Sequence, residues 1–160
     1  MTMAELTHID AEGHAHMVDV TDKPKTERMA RAHARVSMRP DVLELVRTDG
    51  MKKGDVLAVA QVAGIMAAKR TWELIPLCHP IALTSCDVEF KLGEDSIEVF
   101  SRVRCTGETG VEMEALVAAS TAALTIYDMC KAVQRDIEID QVFMLEKDGG
   151  ASGWFLRDDI

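Results

Sequence analysis

The chain has 160 residues, 48% of them apolar, which is enough for one compact domain with its own core. Its 18 basic and 27 acidic side chains give a formal charge of −9, so no nucleic-acid partner is expected and any phosphate binding must be local. No apolar run spans a bilayer and no secretory signal opens the chain, so no membrane partner is expected and the location is expected to be cytoplasmic.

Residues 1–24 are polar and are expected to form a mobile N-terminal segment, of the kind that often closes over a site. His14 and His16 form a His-x-His pair there, but no carboxylate or thiolate joins them in an obvious ligand set. No metal and no cofactor is expected. From Ala30 to Met38 apolar residues alternate with Arg31, His33, Arg35 and Ser37, the pattern of a half-buried strand with three basic groups on its other face. Pro40 and Asp41 open a helix to about Thr48, stopped by Gly50. Gly54 and Asp55 open a second, apolar on nearly all sides through Val56, Leu57, Val59, Val62, Ile65 and Met66. Such a helix is either central in a fold or sandwiched in an oligomer.

After Lys69 and Arg70 the run Lys69 to Pro80 leaves that helix and turns through Pro76 and Pro80, holding Cys78 and His79 in a stiff loop. Cys86, Val88, Phe90 and Leu92, then Ile97, Val99, Val103 and Cys105, alternate with polar residues on either side of a Gly93–Ser96 turn, which predicts a hairpin. A helix is expected from about Val111 to Val133 and a last strand over Ile139 to Leu145. The order strand, helices, strand, strand, helix, strand predicts an α+β domain over residues 25–147. The class is ferredoxin-like (split βαβ), an antiparallel sheet with helices packed on one face. Residues 148–160 are read as a glycine-containing tail.

Asp128 and Lys131, three apart, project from one helix face; alone they are an ordinary ion pair, but their apolar neighbours suggest desolvation that would tune both groups. Glu112 and Glu114 suit a helix N-terminus. Glu114 and Asp128 are fourteen residues apart, roughly 21 Å along a helix, so one small substrate reaches both only if copies of the chain share a site. Arg28, Arg31, Arg35, Lys52, Lys53, Lys69, Arg70, Lys131 and Lys147 lie near element ends, and several together would suit a di- or triphosphate. Cys78, Cys86, Cys105 and Cys130 have neither metal-finger nor redox spacing and are expected to be reduced thiols.

The segments Thr7-His8-Ile9-Asp10, His16-Met17-Val18-Asp19-Val20, Lys53-Gly54-Asp55-Val56, Lys69 to Pro80, Thr109 to Leu116 and Ala123 to Val133 closely resemble the MoaC family. These are the cyclic pyranopterin monophosphate synthases of molybdenum-cofactor biosynthesis. The resemblance implies a ferredoxin-like hexamer, a trimer of dimers. It implies conversion of 3′,8-cyclo-7,8-dihydroguanosine 5′-triphosphate, a cyclised GTP derivative, to cyclic pyranopterin monophosphate with release of pyrophosphate. It also implies catalytic roles for Asp128, Lys131 and Lys53. Leu77, Cys78, His79, Glu112, Met113 and Glu114 would line the substrate site at a subunit interface, with Lys69, Lys147 and Arg28 on the phosphates. The tail departs from the family pattern, with Ala151 where a second lysine is common and Asp148 as an added acid. Without the resemblance, the residues also fit a non-enzymatic small-ligand sensing module or a nucleotide phosphohydrolase.

Overall fold

Small apolar side chains alternating with long polar ones suit a strand covered on one face only, and such a strand lies at the middle of the sheet. The structure, a computed structural model, describes residues 8–10 and 12–158, so Thr7 of the first motif lies outside the described residues. Strand β1 (Thr26–Ser37) buries Ala30, Ala32, Ala34 and Val36 completely. Helix α1 (Pro40–Arg47) starts on proline, whose missing N–H matters least in a first turn. Helix α2 (Val56–Ala68) is capped by Asp55, which accepts from the Ala58 N–H at 2.9 Å; Gly54, at φ +92°, makes the left-handed turn before it.

One helical turn, α3 (Thr71–Leu74), follows, too short for apolar periodicity to announce. Strands β2 (Leu83–Leu92) and β3 (Ser96–Gly107) form the expected hairpin. Helix α4 (Glu112–Cys130) comes next. It stops three residues before the expected end because the Val133 and Gln134 N–H groups both turn back to the Cys130 carbonyl, leaving Lys131 in the cap. Strand β4 (Glu138–Asp148) returns to the sheet, and β5 (Phe155–Leu156) lies inside the segment read as a tail.

The sheet order is β2-β3-β1-β4-β5, antiparallel at every junction. The units β1–α2–β2 and β3–α4–β4 interleave, which is the ferredoxin-like arrangement expected, with β5 added at one edge. Helices α2 and α4 pack together on one face, α4 across β1, β3 and β4 and α2 against β2. No described helix is long and apolar enough to cross a membrane.

Short side chains let these layers close tightly. Helix α4 contributes Ala115, Ala118, Ala119, Ala122 and Ala123 to the same core as the β1 alanines, all fully buried. Against it, a Cβ added at Gly64 of α2 would sit 2.9 Å from the Ala118 carbonyl oxygen and 3.3 Å from the Ala122 Cβ. Ser101 donates to the Ala115 carbonyl at 2.7 Å and ties α4 to β3.

Two expectations change on this scaffold. Helix α2 buries only the stripe Val56, Ala60, Gly64, Ala68, while Val59, Val62 and Met66 are 46%, 56% and 49% exposed. It is therefore not central within one protomer. The basic groups of β1 are also knitted into neighbouring strands. Arg31 pairs with Glu146 at 3.2 Å, and Arg35 lies 3.5 Å from both Asp95 and Glu98. His33 is buried beside Phe100 and Phe143, with Glu98 at 2.6 Å. None of the three is left open to a phosphate.

Candidate active site

A concavity of about 810 Å³ lies where the loop after α3 meets the start of α4. Thr71 stays buried in α3, and the Ile75 N–H turns back to its carbonyl; the Cys78 N–H then closes a turn onto Ile75, leaving Leu77, Cys78 and His79 on the cavity wall. The first turn of α4 supplies Glu112, Met113 and Glu114 to the same cavity. Gly110 leaves the Glu112 carboxylate where it lies, since a Cβ there would overlap it and turn that flexible side chain aside. All six residues expected to line the substrate site thus share one cavity.

Glu114 is 3% exposed, and burial pushes its carboxyl up to about 7; a hydrogen bond from its own backbone N–H opposes this and the Glu112 charge adds to it. A carboxyl held there is half protonated near neutrality and works as donor or acceptor. Burial, then the Glu114 charge, raises the Cys78 thiol, the opposite of the shift that activates a nucleophile. Cys86 and Cys130 are pushed to about 11 by burial, and all four cysteines are free.

At the other end of α4 a second cluster forms. Asp128 Oδ1 accepts from Lys131 at 2.6 Å and its Oδ2 from Lys53 at 3.0 Å, while Lys53 also donates to the Asp128 carbonyl at 2.8 Å. The fold brings Lys53 across 75 residues to reach it. The three side chains are 45–56% exposed, so the desolvation expected from their apolar neighbours is absent in a single protomer. Hydrogen bonds from Lys131 and then Lys53 instead hold Asp128 below the usual carboxylate range, and Asp128 raises Lys131 in turn. None of these three lines the cavity, which agrees with the separation expected along the helix.

The expected phosphate-holding residues lie apart from the cavity wall. Lys69 is the C-cap of α2. Arg28 donates to the Gly107 and Glu108 carbonyls at 3.3 and 3.2 Å, wrapped by Gly149 and Gly150 at φ +96° and +78°; a Cβ on Gly150 would overlap its guanidinium. Lys147 donates to the Ser152 hydroxyl, and the added acid Asp148 accepts from the Gly149 N–H at 2.8 Å.

The N-terminal strap, residues 8–10 and 12–23, holds none of the expected site residues, yet His8, Val18, Val20 and Lys23 line the cavity. The signals for it in the sequence are its polar, site-closing character and the His16 to Val20 segment of the family resemblance. Among the described residues no group of three or more His, Cys, Asp and Glu side chains could share a metal ion; Asp10 lies 3.5 Å from His14 as an exposed pair.

The MoaC family model matches residues 17–150, from within the strap to the diglycine turn. The chain belongs to the MoaC family. It is 57% identical over 159 residues to a cyclic pyranopterin monophosphate synthase of Thermomicrobium roseum, an alignment covering 98% of this chain and 96% of that one. In this MoaC protein Glu112 and Glu114 lie in the first turn of helix α4, and Asp128 and its cap residue Lys131 lie at the other end.

Proposed function

We propose that this protein is an enzyme, a pyrophosphate-releasing lyase. It converts 3′,8-cyclo-7,8-dihydroguanosine 5′-triphosphate to cyclic pyranopterin monophosphate in molybdenum-cofactor biosynthesis, in the cytoplasm. The observation that carries the reading is the Lys53–Asp128–Lys131 cluster, an acid between two amines, in a family member with so close a relative of that name.

The chemistry opens the imidazole-derived ring, closes a pyranopterin ring and lets a sugar hydroxyl attack the innermost phosphate, expelling pyrophosphate. Each step moves protons, and none needs a Ser or Cys nucleophile. Lys53 and Lys131 carry protons, Asp128 orients and charges them, and Lys69, Lys147 and Arg28 stabilise the phosphates. The core of the catalytic unit is residues 25–147, with the N-terminal segment and the tail flanking the site.

The geometry supports a shared site. Among the described residues no cation pairs with the buried Glu114, and Asp128, which holds Lys53 and Lys131, sits roughly 21 Å away along the same helix. A second copy bringing its Asp128 end to the Glu114 cavity supplies the missing charge, and the exposed apolar face of α2 gives copies a surface to bury. We assign a homo-oligomer, a hexamer built as a trimer of dimers.

Asp128→Ala and Lys131→Ala, offered the cyclised GTP derivative, are expected to lose pyrophosphate and pterin formation by at least about 100-fold, the usual scale for a positioned acid or base. Wild-type rates in both variants remove the catalytic assignment. Binding without turnover by wild type would favour a ligand-sensing module instead.

A further inference from the structure

The strap does more than wall the cavity. His79 Nε2 lies 2.9 Å from the Val18 carbonyl oxygen. A carbonyl has lone pairs and no proton to give, so Nε2 must carry the hydrogen. In the neutral ring Nδ1 is then the bare nitrogen, and it has no hydrogen-bond partner among the described residues. The strap is braced at this point: Asp19 accepts from the Thr21 N–H at 2.9 Å and from its hydroxyl at 2.6 Å, and upstream Ile9 bridges to Ala15 around a turn closed by Asp10.

We propose that the N-terminal strap is a positioning element of the site, its Val18 carbonyl fixing the His79 imidazole so that Nδ1 meets the ligand as a hydrogen-bond acceptor. The ligand chemistry follows. A bare imidazole nitrogen selects a group bearing a hydrogen, a ring N–H, an exocyclic amine or a sugar hydroxyl. It repels an ionised phosphate oxygen, which offers only lone pairs. His79 therefore belongs to the part of the cavity that takes the ring or sugar, and the phosphates lie elsewhere. Calling that group part of a guanine-derived substrate rests on the proposed function; the state of the ring does not.

The ring can be observed directly by NMR of full-length protein labelled with ¹⁵N-histidine, which has five histidines, His79 being assigned by its loss in His79→Asn. A pyrrole-type signal at Nε2 and a pyridine-type signal at Nδ1 are expected. Replacing Asp19 by its α-hydroxy analogue turns the Val18–Asp19 amide into an ester, a weaker acceptor, with every side chain kept. The ratio of Nε2–H to Nδ1–H tautomer should then fall about fivefold, the scale of one hydrogen bond. Turnover of the cyclised GTP derivative should fall by a similar factor in kcat. An Nδ1–H ring in the wild type, or an unchanged ratio in the ester, overturns the proposal. A shifted ratio with no turnover in either protein supports the strap's role and overturns the substrate assignment.

Discussion

A carboxyl that burial lifts to about 7 makes folding itself depend on pH. Glu114 binds its proton more tightly folded than unfolded, so its cost is absent below about pH 4.5 and grows as pH rises through 7. For a separated protomer the loss across that window is on the order of 3 kcal/mol at most. Glu114→Gln, whose side chain cannot ionise, should flatten that part of a stability-versus-pH curve measured by urea unfolding, and equal slopes in both proteins would contradict it. If copies share the site as proposed, the assembled protein should show a smaller slope than the separated protomer, since a cation brought beside Glu114 pulls its carboxyl back down. At this scale the sequence is a fair guide where spacing is local. Asp128 and Lys131 meet because they are three apart on a helix. Lys53 reaches the same carboxylate through tertiary structure alone, and only the family resemblance placed it there.

Among the elements, long periodic segments were legible and short ones were not. Strand β1, the β2–β3 hairpin and helices α2 and α4 follow from alternation, capping and turn residues, because those signals repeat over ten or more positions. Helix α3 and strand β5 span four and two residues, less than one period of any pattern, and are held by tertiary contacts such as β5 on β4. The alanine-rich seam was legible as apolar but not as close-packed. Gly64 tests that closeness. Alanine in a helix interior gains about 1 kcal/mol over glycine by propensity, but here the new methyl meets a backbone oxygen at 2.9 Å, which a side-chain rotation cannot relieve. Overpacking of this kind costs about 1–3 kcal/mol, so strain wins. Gly64→Ala should lower the unfolding free energy by up to about 2 kcal/mol in urea titrations, and a gain in stability would show that α2 and α4 have room to part.

For the whole molecule, the all-round apolar character of α2 left two choices open, burial within the fold or burial between copies, and the structure removes the first. Val59, Val62 and Met66 stand exposed on α2, with Trp72 and Leu124 exposed on the neighbouring helices, on a protein of charge −9 whose copies repel one another until apolar surface is buried. If copies assemble through this face, as proposed, Val62→Glu should reduce the assembly to smaller species in sedimentation while leaving the far-ultraviolet helix signal intact, and activity should go with the assembly. An active, stable monomer would contradict a shared site. The sharper test mixes defects. Glu114→Ala and Asp128→Ala subunits are each inactive if both residues serve catalysis. Suppose each site takes Glu114 from one copy and Asp128 from another; random co-assembly at equal amounts then restores both groups to about one site in four. Co-expressed subunits should recover about a quarter of wild-type turnover, whereas sites contained in single chains would recover none, because no chain in the mixture carries both groups.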